Sequence, residues 1–228
     1  MEVWFAKLNE TFIASGYYTM MIDGLKNTIL ITVGGLIISL FLGTFIAVVK
    51  YLSEDVKFLR PVAWLGNLYV TVVRGVPVVV LLLVFYYIIM KSADGLVVAV
   101  VAFGLNSAAY MAEIIRSGIN AVDSGQMEAG RSLGMSHIQA MRVVVFPQAM
   151  RYILPAIGNE FIALLKETSV AGYVAVCDLT RAGNLVRNNT YDAVNPLMVV
   201  ALTYLIIVVG LTALLGKFER RLKKSDKR

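Results

Sequence analysis

Charge is scarce in this chain. Only 16% of its 228 residues are Asp, Glu, Lys or Arg, where a soluble domain carries about a quarter. That shortage leaves too little polar surface to coat a large soluble core, so it excludes an ordinary globular protein of this size. There is one cysteine, Cys177. An internal disulfide is excluded, and a lone Cys beside an apolar run reads as a small buried packer rather than a reactive thiol. There is one histidine, His137, so no His-based metal cluster can form; beside Ser136 it reads as a surface residue. No nucleophile–His pair and no Gly-x-Ser-x-Gly elbow occur, which leaves a membrane-embedded enzyme without support. No Gly-x-x-x-x-Gly-Lys-Ser/Thr loop occurs either, so the chain has no phosphate-binding loop of its own.

What is abundant is oil. Hydrophobic residues make up 58% of the chain, mean hydropathy is +0.74, and the apolar residues come in blocks. Blocks of that length point to membrane spans. Glu2 and Glu10 precede the first long block, a poor match to a signal peptide, and the first span is expected to be retained. Residues 27–49 carry no charge and are bookended by Lys26 and Lys50, long enough for a hydrocarbon layer of ~30 Å. Gly35, Ser39, Gly43 and Ala47 recur on it at every fourth position, a face on which another helix can pack closely. A second region, 61–90, is broken by Arg74-Gly75-Val76-Pro77 into a helix over 61–73 that starts at the membrane surface and a deeper part over 76–90. A third span covers 95–112, with Gly104, Ala108 and Ala112 again at small-residue spacing. A fourth is expected over 152–176 and a fifth, charge-free, over 193–216.

Lys and Arg orient these five crossings. Lys50, Lys57, Arg60, Arg116, Arg131, Arg142, Arg151, Lys217, Arg220, Arg221, Lys223, Lys224, Lys227 and Arg228 fall on one side, and only Lys7, Lys91, Arg181 and Arg187 on the other. The basic side is the cytoplasm, which puts the N-terminus outside and the C-terminus inside. The basic tail, 217–228, is then a membrane-surface anchor and no nucleic-acid partner is called for.

One block between the third and fourth spans is polar: 127-MEAGRSLGMSHIQAMRVVVFPQ-148. Gly125 and Gly134 bracket a helix of about two turns over 126–133. Gly134 supplies the left-handed residue that stops it, and Ser136 caps a second helix over 137–145. Pro147 is expected to end that helix and turn the chain toward the fourth span. A short helix between two rigid breaks suits docking into a partner's groove; an ordinary amphipathic loop is the plainer alternative.

Here a resemblance becomes specific. Glu128-Ala129-Gly130, three residues, Gly134, nine residues and Val144-Val145-Phe146-Pro147 resemble the EAA loop of ABC importer permeases. That family's pattern reads Glu-Ala-Ala, three residues, Gly, nine residues and an Ile-X-Leu-Pro-like close. The departures are Gly130 for Ala, Val144 for Ile and Phe146 for Leu. Arg74-Gly75-Val76-Pro77 is similar to the Arg-Gly-Thr-Pro segment of the polar amino-acid permeases. So are the stretches from Ala112 to Ile119, from Leu154 to Phe161 and from Leu165 to Ser169. The resemblance implies an all-α integral membrane protein of the type I ABC importer permease fold, one permease domain over 1–228. Its loop 116–151 would be cytoplasmic and would contain the coupling helix. Gln126, Glu128, Ala129, Gly130, Arg131, Ser132 and Gly134 are the residues expected to couple to a separate ATPase subunit. Two copies of that ATPase per transporter would bind ATP and Mg, leaving this chain with no cofactor, no metal and no catalytic residue. A second permease copy, identical or paralogous, an extracytoplasmic binding protein and an amino-acid substrate complete the expected partners, all at the bacterial cytoplasmic (inner) membrane.

Ionisable groups inside spans cost ~2.5–3.5 kcal/mol on insertion scales, so each is a functional candidate. Glu160 lies ~14 Å beyond Arg151 along a helix, and Asn159 precedes it. Glu160 could take a substrate's ammonium or guanidinium, or could pair with a neighbouring helix. Asn106 and Tyr110, each one turn from the next, put polar groups along the third span and are further substrate-contact candidates. Lys166, Glu167, Thr168 and Ser169 read as structural or gating. Arg74 and Glu113 read as an ion pair joining the second and third spans, with substrate binding as the alternative. A carboxylate at 160 favours arginine, histidine or lysine as substrate. The competing function is a passive channel or anchor, which would need no docking block.

Overall fold

The computed structural model describes residues 9–54 and 56–224, with side chains as far as Arg221. Glu2, Lys7, Lys227 and Arg228 lie outside the described residues, as do the side chains of Lys223 and Lys224. Among the described residues all regular structure is helical. The main helices are α1 (Tyr17–Leu52), α2 (Arg60–Gly75), α3 (Val78–Val84), α4 (Gly95–Asn120), α5 (Ser124–Ser132), α6 (His137–Ala140), α7 (Phe146–Glu167), α8 (Leu179–Thr190) and α9 (Asn195–Lys224).

Among the described residues, three helices are long and apolar enough to cross a membrane on their own: Tyr17–Leu52, Gly95–Asn120 and Asn195–Arg221. A fourth crossing exists if Lys57–Gly75 and Val78–Ile89 form one broken span. The break falls at Val76-Pro77, because Pro77 pushes the residue before it out of the helical region and itself becomes the N-cap of α3 at ψ 136. Each long helix runs past its apolar block by a turn or more. The overhang passes through Gly24 in α1 and Gly118 in α4 without a break. Residues 152–176 fold as most of α7 followed by a 3-10 segment, Thr168–Val174. α7 carries Arg151, Glu160, Lys166 and Glu167.

The chain divides into two compact units. One comprises Met1–Ile37, Val76–Gly104 and Ala163–Gly210; the other comprises Ile38–Gly75, Leu105–Ile162 and Leu211–Arg228. The core of the first is Ile31, Leu82, Phe103, Leu164 and Val174, all 0% exposed. Cys177 packs at the edge of a second cluster in this unit. Burial first, and the neighbouring Asp178 carboxylate second, hold its thiol above the usual range, as suits an inert packing residue.

Small residues let the helices of each unit approach. In the first unit, a Cβ on Gly35 would lie 3.4 Å from the Gly104 nitrogen. In the second, a Cβ on Gly43 would lie 2.8 Å from the Ala108 carbonyl oxygen. Ser39 is 0% and Ala47 5% exposed. The small-residue rows of α1 and α4 thus meet each other. A row spent on packing within the chain is not free for a second copy, so it gives no support to a dimer.

Candidate functional site

The polar block folds as a pair of capped helices in the second unit. Asp123 caps α5, its side chain accepting from the Gly125 nitrogen. The helix therefore starts at Ser124, two residues before the start expected from the bracketing glycines. Its end is a Schellman turn: Gly134 N–H donates to the Arg131 carbonyl at 3.0 Å and Met135 N–H to the Gly130 carbonyl at 3.2 Å, with Gly134 at φ +84. This left-handed step satisfies carbonyls that would otherwise be orphaned. Ser136 then caps α6 in a full capping box with Gln139. Gly130 is the buried contact between the two helices; a Cβ there would meet the Ala140 Cβ at 3.0 Å.

Pro147 does not end the following helix. The chain stays helical through a π-turn, Met141–Val145, into α7, with the Phe146 N–H donating to the Met141 carbonyl. Pro147 lies in the first turn of α7, where its missing N–H is least costly, and the wider π-turn carries the ladder past it. Two side-chain links tie the block down. Gln148 Nε2 donates to Gln126 Oε1 at 2.9 Å. Tyr51 Oη and His137 Nε2 share a hydrogen bond of 3.2 Å, and the two rings stack at 5.7 Å. His137 is therefore half-buried against α1, not a free surface residue. Gln126, Glu128, Ala129, Arg131, Ser132 and Gly134 are exposed, and Leu133 and Ile138 are 80% and 65% exposed.

Above the block, charge gathers on Glu113. Arg116 donates to its Oε2 through Nη2 at 2.7 Å and Nε at 3.0 Å, and Lys50 donates to its Oε1 at 3.1 Å. Arg74 Nη1 stands 4.0 Å from Oε2 and its guanidinium lies 5.1 Å from the centre of the Tyr110 ring. The shortest contacts of Glu113 are thus Lys50 and Arg116. Arg74, Tyr110, Glu113, Arg116, Tyr152 and Ala156 are among the residues lining a cleft of about 570 Å³.

Glu160, on α7, accepts a 2.6 Å hydrogen bond from Ser107 Oγ of α4. Tyr110 joins Arg74 at the cleft, whereas Asn106 is buried at 3% exposure and Asn159 is exposed. The structure therefore brings Tyr110 to the charged cluster, ties Glu160 to α4 through Ser107, and leaves Asn159 exposed. Ser107, Lys50, Arg116 and Tyr51 are contributors that the sequence does not single out. Only Arg116 carries a local signal, three residues from Glu113 on one helix face.

Residues 39–224 match the family described as the inner membrane component of binding-protein-dependent transport systems. The chain belongs to that family. Similar curated proteins include the probable glutamine ABC transporter permease GlnM of Bacillus subtilis (strain 168), 36% identical over 91% of this chain and 95% of that protein. The arginine transport permease ArtQ of the same organism is 37% identical over 90% and 94%. A crystal structure of an amino acid ABC transporter with histidines superposes at a TM-score of 0.85, 40% identical, covering 91% of this chain and 96% of that one. This family member sits among the polar amino-acid permeases of ABC importers. It is a multi-pass membrane subunit and not an enzyme; ATP is hydrolysed by a separate ATPase subunit, and a substrate-binding protein is the other partner of such importers.

Proposed function

We propose that this permease lines the pathway of an ATP-driven importer of polar, cationic amino acids such as arginine, histidine or lysine, in a bacterial cytoplasmic membrane. It crosses five times with its N-terminus outside and its C-terminus in the cytoplasm, α7 being the fourth crossing. It pairs with a second permease copy, identical or paralogous, and with two ATPase copies that bind ATP and Mg. Residues 116–151 form the cytoplasmic loop, and Gln126, Glu128, Ala129, Gly130, Arg131, Ser132 and Gly134 pass the ATPase's motion to α7. Glu160 receives the substrate's cation, with Asn159, Asn106 and Tyr110 along the path, and the Arg74–Glu113 pair belongs to the charged cluster that joins α2 to α4.

The observation that carries this reading is the capped helix α5, rigid at both ends and tied to α7 through Gln148. A peg of that kind transmits a push as rigid-body motion, which alternating access requires. The test is uptake across a panel of amino acids by the reconstituted permease–ATPase complex. Gly134→Val forces a β-branched residue to φ +84, at roughly 1–2 kcal/mol, and is expected to cut uptake several-fold more than ATP hydrolysis. Glu160→Gln is expected to remove uptake of cationic amino acids and spare neutral ones. Uptake unchanged by Gly134→Val, or cationic uptake unchanged by Glu160→Gln, refutes the corresponding role.

A further inference from the structure

We infer that the cleft beside Tyr110 takes the α-carboxylate of the transported amino acid on the Arg74 guanidinium, an inference that rests on the amino-acid reading above. Three cations surround one carboxylate. Arg116 and Lys50 between them take both oxygens of Glu113, at 2.7 and 3.1 Å. Arg74 is 4.0 Å away, past hydrogen-bond reach, and its side chain is 43% exposed. Glu54 lines a separate cavity together with Lys50. The cleft itself therefore holds two guanidinium groups and one carboxylate whose short contacts are already filled.

Arg74 comes no nearer than 4.0 Å to Glu113, and its guanidinium carries five N–H donors. A carboxylate is the anion that matches the planar fork of a guanidinium. The cleft, about 570 Å³, has the size of a small-molecule site. Tyr152 and Ala156 supply apolar wall, and the Tyr110 ring lies within cation–π distance of Arg74, orienting it.

Glu160 adds a ruler. It stands one turn past Ala156 on α7, ~6 Å of helix, and its partner Ser107 stands one turn before Tyr110 on α4. A ligand with its carboxylate on Arg74 and a cation on Glu160 must separate the two charges by about a helical turn or more. A cationic amino acid in extended form does so: carboxylate in the cleft, side chain toward Glu160. A neutral amino acid meets only the first requirement.

The test is equilibrium binding of radiolabelled L-arginine to the purified permease–ATPase complex, without binding protein. Unlabelled L-arginine, L-glutamine and agmatine (the same guanidinium chain with no carboxylate) serve as competitors. Agmatine is expected to compete at least about tenfold more weakly than L-arginine, the scale of one charge-assisted hydrogen-bonded contact. Arg74→Gln is expected to lower L-arginine to the level of agmatine without changing agmatine, with Arg74→Lys in between. Equal competition by agmatine and L-arginine in the unmodified complex overturns the inference. So does an Arg74→Gln effect of the same size on both ligands, which marks a structural role. Should Arg74→Gln fail to assemble, the agmatine comparison on the unmodified complex decides alone. If neither L-arginine nor any of L-histidine, L-glutamine and L-glutamate binds the unmodified complex, the amino-acid reading itself falls and the inference with it.

Discussion

Glu113 anchors its cluster because three cations converge on it. Replacing it by Gln leaves Lys50, Arg74 and Arg116 facing one another. Removing one partner of a buried ion pair costs 3–5 kcal/mol. With the Glu113 side chain 19% exposed and Arg116 48%, about 2 kcal/mol is expected for Glu113→Gln. Arg74→Gln, at 4.0 Å and half exposed, is expected to cost less than about 1 kcal/mol. Thermal unfolding of the detergent-solubilised complex checks the order; equal losses refute it. Little of this cluster is legible in the chain as written. Arg116 can be read from its spacing to Glu113, since three residues bring two side chains to one helix face. Lys50 is 63 residues from Glu113 and Ser107 is 53 from Glu160, and no local rule pairs residues that far apart. Lys50 reads as the end of a span, which it also is; only packing reveals its partner.

Helix ends and helix faces are the features that local sequence carries. Gly134 and Ser136 announce their roles because a left-handed stop and a capping box each involve only neighbouring residues. Asp123 carries the same kind of signal, but Gly125 two residues later reads as a break and hides it. Pro147 misleads for a related reason. A proline after a helix normally ends it, and nothing in the letters reveals a π-turn that takes up the strain. The small-residue rows are legible as contact faces, while their partner is not. The two rows differ in tightness along α1. At Gly43 a methyl would meet Met111 Cβ at 2.5 Å and the Ala108 oxygen at 2.8 Å, whereas at Gly35 the nearest atoms are 3.4 Å away. Gly43→Ala is therefore expected to lose about 1–3 kcal/mol by overpacking, and Gly35→Ala distinctly less. Melting temperatures of the two variants side by side check this, and a Gly35→Ala loss as large as that of Gly43→Ala would contradict it.

At the scale of the molecule, α1, α4, α7 and α9 each contribute residues to both compact units, and the chain passes between units again at Gly75-Val76. The apolar blocks make the long membrane-type helices readable in advance. The division into units is not readable, because it depends on which faces pack. Besides the backbone at its two ends, the block from Ser124 to Ala140 is joined to this framework through Gln126–Gln148 to α7 and through Tyr51–His137 to the C-terminal end of α1. Loss of the second joint should let the peg move without carrying α1. Tyr51→Ala is expected to lower the amount of amino acid taken up per ATP hydrolysed by roughly two- to fivefold, about 0.4–1 kcal/mol of lost coupling. Tyr51→Phe, which keeps the stacking, is expected to lose less. Simultaneous measurement of uptake and phosphate release in proteoliposomes tests both, and an unchanged ratio in Tyr51→Ala removes α1 from the drive.

The π-turn at Met141–Val145 also sets a phase. It holds one residue more than an α-helical path would need between α6 and α7. Every residue ahead of it is consequently rotated by about 100° around the α7 axis relative to an uninterrupted helix. The compass bearing at which Glu128, Arg131 and Leu133 meet the world thus depends on one surplus amino acid, more than on any side chain in the peg itself.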